Sequence, residues 1–253
     1  MIRVFIDQVL ALTEANLKTR YRNTFAGLIW VALYPLMMYG AQAFVFHLIL
    51  KIQIENYLLF LLSGLLPWIF LTQSIDMNTS MIVNNARLLK SFPIHPFVPV
   101  LAQVLDNLIN FIVVFTLIFI PISFYTNGFH MQLFLLPIPV LCLLISSAAI
   151  SFMLSISQVF FYDTRYLVSF VLSFLFYLTP VFYSIEFIPQ EYRDYLYLNP
   201  FYILISPFQK MMLNHSTSEV LFSLFTALAI TVFLVLFSFY FWWRNKQKLY
   251  FRL

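Results

Sequence analysis

Lys18, Arg20 and Arg22 crowd the chain just ahead of a long apolar stretch. Their ordinary role would be a positive stop on the inner side of a membrane. Their sharper role would be chemical, because arginine forks match phosphate oxygens and such a trio could recruit an anionic phosphate headgroup. Ser147, Ser151 and Ser155 recur every four residues and put small hydroxyls on one helix face. That spacing suits close helix packing first and a hydrophilic strip along a conduit second. Phe174, Tyr177 and Tyr183, clustered with Phe170, Phe176 and Phe182, are first packing and interface anchors. Their ring faces are also surfaces on which sugars stack, so a conduit lining is the second reading.

Other chemistries lack their residues. A phosphate-cradling loop needs clustered glycines followed by lysine, yet Gly27, Gly40, Gly64 and Gly128 stand alone and none precedes lysine. Any ATP-driven activity must therefore come from a second polypeptide. His47, His95, His130 and His215 have no metal-ligand spacing, and the lone Cys142 excludes a disulfide framework. We expect no catalytic residue, metal or cofactor in this chain. One rival is a membrane-embedded enzyme acting on lipid-linked sugars, but the outer acids Glu186, Glu191 and Asp194 read better as solvated loop charge. Another is an ion-coupled transporter or channel. Asp106 is the one carboxylate near core depth in an apolar run, and it reads as helix positioning at headgroup depth rather than a proton relay.

The elements that must position these residues follow from composition. Hydrophobic residues make up 62% of the 253 and charged residues 9%, against roughly 25% charged in a soluble domain. Such a chain is an all-α membrane protein. A hydrocarbon layer of about 30 Å needs about 20 apolar residues as helix, and six runs meet this, over 28–50, 57–75, 100–125, 131–160, 166–185 and 219–243. With a cytoplasmic N-terminus, the inner segments hold Arg3, Lys18, Arg20, Arg22, Arg87, Lys90, Arg165, Arg244, Lys246, Lys248 and Arg252. Only Lys51, Arg193 and Lys210 fall outside. Both termini are therefore expected in the cytoplasm of a multi-pass protein. The net charge of +4 is thus sorted by side, which is no nucleic-acid footprint.

Residues 1–22 read as an amphipathic helix in the interface plane, with Ile2, Phe5, Ile6, Val9, Leu12 and Leu17 opposite Arg3, Asp7, Glu14 and Lys18. A helix docked on a partner is the alternative. Residues 76–99 read as a short helix and a stiff return through Pro93, Pro96 and Pro99. Residues 186–218, broken by Pro189, Pro200 and Pro207, read as half-length helices on the outer side.

Arg20-Tyr21-Arg22-Asn23-Thr24, then Gly27, Trp30 and Pro35, is similar to the N-terminal signature of permease subunits of type 2 ABC exporters for polysaccharide and polyol phosphate, the O-antigen, capsule and teichoic-acid exporters. Ser63-Gly64-Leu65-Leu66-Pro67-Trp68, Tyr162-Asp163-Thr164-Arg165, Thr179-Pro180-Val181-Phe182-Tyr183 and Asn199-Pro200 resemble later landmarks of the family, in order. Thr24 and Ala26 stand where the family more often has serine and leucine. The resemblance implies a homodimeric permease of the cell inner membrane, with six helices per subunit. It also implies two copies of a separate ABC ATPase that bind ATP and Mg, and a lipid-linked glycan as cargo. The segment around Asn84, Arg87 and Lys90 looks like a coupling helix seated on that ATPase, and the pieces at 186–213 look like gate helices.

Overall fold

A backbone that crosses hydrocarbon must satisfy its own N–H and C=O groups, and in so apolar a chain the local solution is helix. The computed structural model describes residues 2–21, 37, 56–119, 121 and 131–252, and every regular element among them is helical. Four are long and apolar enough to cross a membrane: Tyr57–Thr79, Phe97–Leu117, Met131–Phe160 and Thr217–Leu249. The span expected over 28–50 lies outside the described residues apart from Met37. The far end of the one expected over 100–125 does so as well.

In chain order the α-helices are α1 (Ile2–Tyr21), α2 (Tyr57–Thr79), α3 (Met81–Asn84), α4 (Ala86–Ser91), α5 (Phe97–Val114), α6 (Pro137–Phe160), α7 (Thr164–Leu178), α8 (Gln190–Arg193), α9 (Pro200–Met212) and α10 (Thr217–Arg252). The hub is α2, buried along most of its length and packed against α5, α6, α7 and α9. Its small residues Ser63, Gly64 and Ser74 are what let those neighbours approach so closely.

The fifth expected span, 166–185, differs in the structure. The helix ends at Leu178 after 15 residues, about 22 Å. The residue before a proline is pushed out of the helical region, and Thr179, which precedes Pro180, is extended at ψ 127°. After this break a 3-10 turn (Ile185–Phe187), α8 and a second 3-10 turn (Asp194–Leu198) lead to α9. Asn199 caps α9 by accepting the N–H of Phe201 at 3.0 Å, and Pro200 takes the first helical position. α9 is too short to span, and Phe201 to Gln209 are all buried. Irregular backbone at membrane depth is tolerated only when protein covers it, and here side chains complete the cover. Asn199 Nδ2 donates to Thr179 Oγ1 at 2.9 Å, and Gln209 Nε2 donates to the Pro180 carbonyl at 2.9 Å.

α10 is 36 residues long, about 54 Å, and therefore outruns the hydrocarbon. Its basic end stays tethered: Leu249 is buried beside Ile82 and Leu89, and Arg252 lies 5.3 Å over the Phe160 ring.

α1 packs along α5 rather than presenting all its apolar residues to a surface. Val9 and Thr13 are buried, and the Thr13 hydroxyl reaches the Ala102 carbonyl at 3.4 Å. Ile2, Ile6 and Leu10 remain exposed. The helix thus has one face docked on α5 of its own chain, which neither sequence reading foresaw, and an adjoining apolar stripe left exposed.

Candidate functional site

α3 and α4 form an elbow at the end of the bundle that carries most of the basic residues. Ile82 and Leu89 point inward to Val100, Phe152, Ile156, Val159 and Leu249, and the Ile82 N–H donates to Ser155 Oγ at 3.0 Å. With those residues fixed inward, helical periodicity turns Asn84, Arg87 and Lys90 outward, and all three are exposed. The elbow is a rigid, cationic knob, suited to seating on another protein and devoid of groups for covalent chemistry.

Beside it runs a polar seam. Arg20 Nη2 lies 2.5 Å from Asp106 Oδ2, with the arginine 30% and the aspartate 1% exposed at the side chain. The same Nη2 donates to Asn107 Oδ1 at 3.2 Å. Gln103 Nε2 donates to Asp106 Oδ2 at 3.1 Å and to Asn107 Oδ1 at 3.3 Å, while Asn107 Nδ2 donates to Ser74 Oγ at 3.3 Å. Ser151 Oγ donates to the Ser74 carbonyl at 3.1 Å. The seam ties α1 through α5 and α2 to α6. Asp106 is sealed inside the protein, because α1 folds over it with a counter-ion from 86 positions upstream. Gln103, Asn107 and Ser74 were missed, although Gln103, Asp106, Asn107 and Asn110 recur at helical spacing on an otherwise apolar run.

Lys18, grouped with Arg20 in the sequence, points elsewhere. It pairs with Glu14 at 2.6 Å on the exposed face, and its hydrogen bond and charge hold that carboxyl below the usual carboxylate range. Arg22 lies outside the described residues. Ser147, Ser151 and Ser155 are completely buried in the packing of α6, so as a conduit lining they border no open space. Phe174 and Tyr177, by contrast, are exposed on α7. Tyr183 is partly buried, its hydroxyl donating to the Tyr177 carbonyl at 3.2 Å. Between α2 and α7 lies a depression of about 340 Å³ walled by Trp68, Thr72, Ser173, Phe176 and Tyr177. It offers hydroxyls and aromatic faces together. At its basic end the Ser169 hydroxyl donates to Asp76 Oδ1 at 2.6 Å. Among the described residues no group of histidine, cysteine and carboxylate side chains could hold a metal.

The sequence profile of the ABC-2 type transporter matches residues 7–213. The chain belongs to the ABC-2 type transporter family. Within that family it is similar to the O-antigen export system permease protein RfbA of Klebsiella pneumoniae, 28% identical over 82% of this chain and 81% of the relative. The RfbA of Myxococcus xanthus is 29% identical over 82% and 80%. The polysialic acid transport protein KpsM of Escherichia coli is 23% identical over 76% of each. The matched region takes in α1 from Asp7 onward, the elbow, the polar seam and α9, and the chain is a permease subunit of this family.

Proposed function

We propose that this chain is the membrane-spanning half of an ATP-driven exporter that moves a lipid-linked, O-antigen-like polysaccharide from the cytoplasm across the inner membrane. The observation that carries the reading is the elbow: Asn84, Arg87 and Lys90 exposed together over a buried Ile82 and Leu89, in a chain of this family. The relatives' names supply the cargo class.

In this reading two copies of the chain, each with six spans including one over 28–50, flank a pathway, and both termini are cytoplasmic. Two copies of an ABC ATPase bind ATP and Mg and press on the elbows. Because the elbow shares a packed cluster with the ends of α5, α6 and α10, displacing it shifts the spans as units rather than bending a loop. The exposed aromatic face of α7, with Phe174 and Tyr177, lines the pathway where sugar rings pass, and Tyr183 braces its outer end. Lys18, Arg20 and Arg22 stand at a lateral entrance for the lipid phosphate. The pieces at 186–213 gate the far end.

The test is charge reversal on the elbow, Arg87→Glu with Lys90→Glu, in the reconstituted permease–ATPase complex. Losing two desolvated cationic contacts at an interface costs about 2–5 kcal/mol. The ATPase is therefore expected to detach or lose its response to the permease, and export to fall at least about tenfold, while the permease still inserts. Unchanged ATPase binding and export would remove the elbow from coupling.

A further inference from the structure

We propose that a crevice between α5, α6 and α10 is a binding site for one acyl chain of an anionic phospholipid, held as a fixed lipid beside the elbow. This rests on the membrane embedding of the family and not on the cargo.

The crevice measures about 470 Å³, within the range of roughly 300–1,000 Å³ typical of small-molecule sites. Its depth comes from Ala148 and Ala149, whose small side chains leave room where α6 meets α10. Its walls are Leu101, Leu144, Phe152 and Phe239. Two of the polar groups that line it are already engaged within the protein. The Ser238 hydroxyl donates to the Ala149 carbonyl at 2.9 Å, and His95 Nδ1 accepts the Phe97 N–H at 3.2 Å. Burial pushes the His95 imidazole below its ordinary value, towards the neutral form. Water entering this space would find almost no partners, whereas hydrocarbon loses nothing.

Size and position select the occupant. From Val235 to Trp242 the α10 wall runs two turns, about 10 Å, against about 15 Å for one leaflet of the hydrocarbon core. The crevice thus takes about two-thirds of the depth of one tail in its leaflet, and a helix about 10 Å across does not fit that volume. The mouth is marked by Trp242, edge-on to His95 with centroids 5.0 Å apart, and tryptophan belongs at the headgroup level. Just beyond it α10 carries Arg244, Lys246 and Lys248, and Lys246, one turn past Trp242 on the same face, is exposed. Past Glu219 α10 carries no further acid, so beyond Trp242 this helix offers a phosphate only basic charge.

The experiment is native mass spectrometry of the purified permease, with thermal unfolding in detergent after adding phosphatidylglycerol, phosphatidylcholine or inorganic phosphate. Wild-type protein is expected to retain one phospholipid per chain and to prefer phosphatidylglycerol over phosphatidylcholine at least about tenfold, with no response to inorganic phosphate. Ala148→Phe, which fills the crevice, should abolish the retained lipid. Lys246→Gln, on an exposed position that leaves packing intact, should keep a lipid but lose the anionic preference. A photo-crosslinker at Val235 should label lipid. Retention of the same lipid by both variants, crosslinking to residues 28–50 or to a second copy, or a polyprenyl phosphate in place of the phospholipid would each overturn the proposal.

Discussion

Arg20→Gln will destabilise the permease more than Asp106→Asn, although the two substitutions break the same ion pair. The carboxylate is 1% exposed and the guanidinium 30%. Removing the arginine strands a buried charge with only Gln103, among the described residues, still donating to it, and stranding one partner of a buried pair costs about 3–5 kcal/mol. Removing the carboxylate's charge leaves a cation that can turn towards water and headgroups, and asparagine still accepts its hydrogen bond. That loss is about 1–2 kcal/mol. The double variant should recover most of the larger loss, because a neutral pair fills the same space. Thermal unfolding of all four proteins in detergent gives the coupling directly. An Arg20→Gln protein as stable as Asp106→Asn would mean that Asp106 does not depend on α1. The seam has a functional corollary. Because the pair locks α1 to α5, the helix at the proposed lateral entrance moves with that span and does not float in the interface.

The second large effect is at Gly64. A Cβ there would stand 2.6 Å from Gln209 Nε2 and 3.1 Å from the Val181 carbonyl oxygen. The amide can swing away, but only by letting go of the Pro180 carbonyl that it caps at 2.9 Å, and a buried carbonyl left without a donor costs about 1–3 kcal/mol. The backbone oxygen of Val181 has no such freedom. Gly64→Ala is therefore expected to lose up to about 2 kcal/mol net, after the roughly 1 kcal/mol that alanine gains over glycine in a helix. Gly64→Leu adds overpacking of about 1–3 kcal/mol or more, and should leave little folded protein. Relief by Gln209→Ala in the Gly64→Ala background, read as recovered detergent-stable yield, would identify the clash. Wild-type stability of Gly64→Ala alone would show that α2 and α9 are less tightly apposed than drawn here.

Both predictions concern contacts that no local pattern announces, and this marks where sequence reading ran out. Charge sparsity and apolar run length gave the helical membrane class directly, because hydrocarbon forces each crossing segment to satisfy its backbone alone. The motifs from Arg20 to Asn199-Pro200 gave the family for a related reason, being local strings kept in order. The elbow was legible only in outline: one short helix was expected over 76–99, whereas Asp76 to Thr79 continue α2, two short helices α3 and α4 follow, and Pro99 already lies in α5. Thr179-Pro180 carried the signal that stops α7 at Leu178, but a hydropathy run counts proline and glycine gaps as continuous.

What the sequence determined by itself, then, is the part of this protein in which each segment meets the membrane one at a time: its helical class and the basic bias of one end. What only tertiary structure decided is which buried polar groups face each other: Arg20 with Asp106, Gln209 with the Pro180 carbonyl, and Ser151 and Ser155 of α6 with the backbone of α2 and α3. The physical reason is that burial of an apolar side chain depends on its own transfer from water. A buried charge or amide is tolerable only beside a specific partner, and that partner lies many residues away until the chain folds.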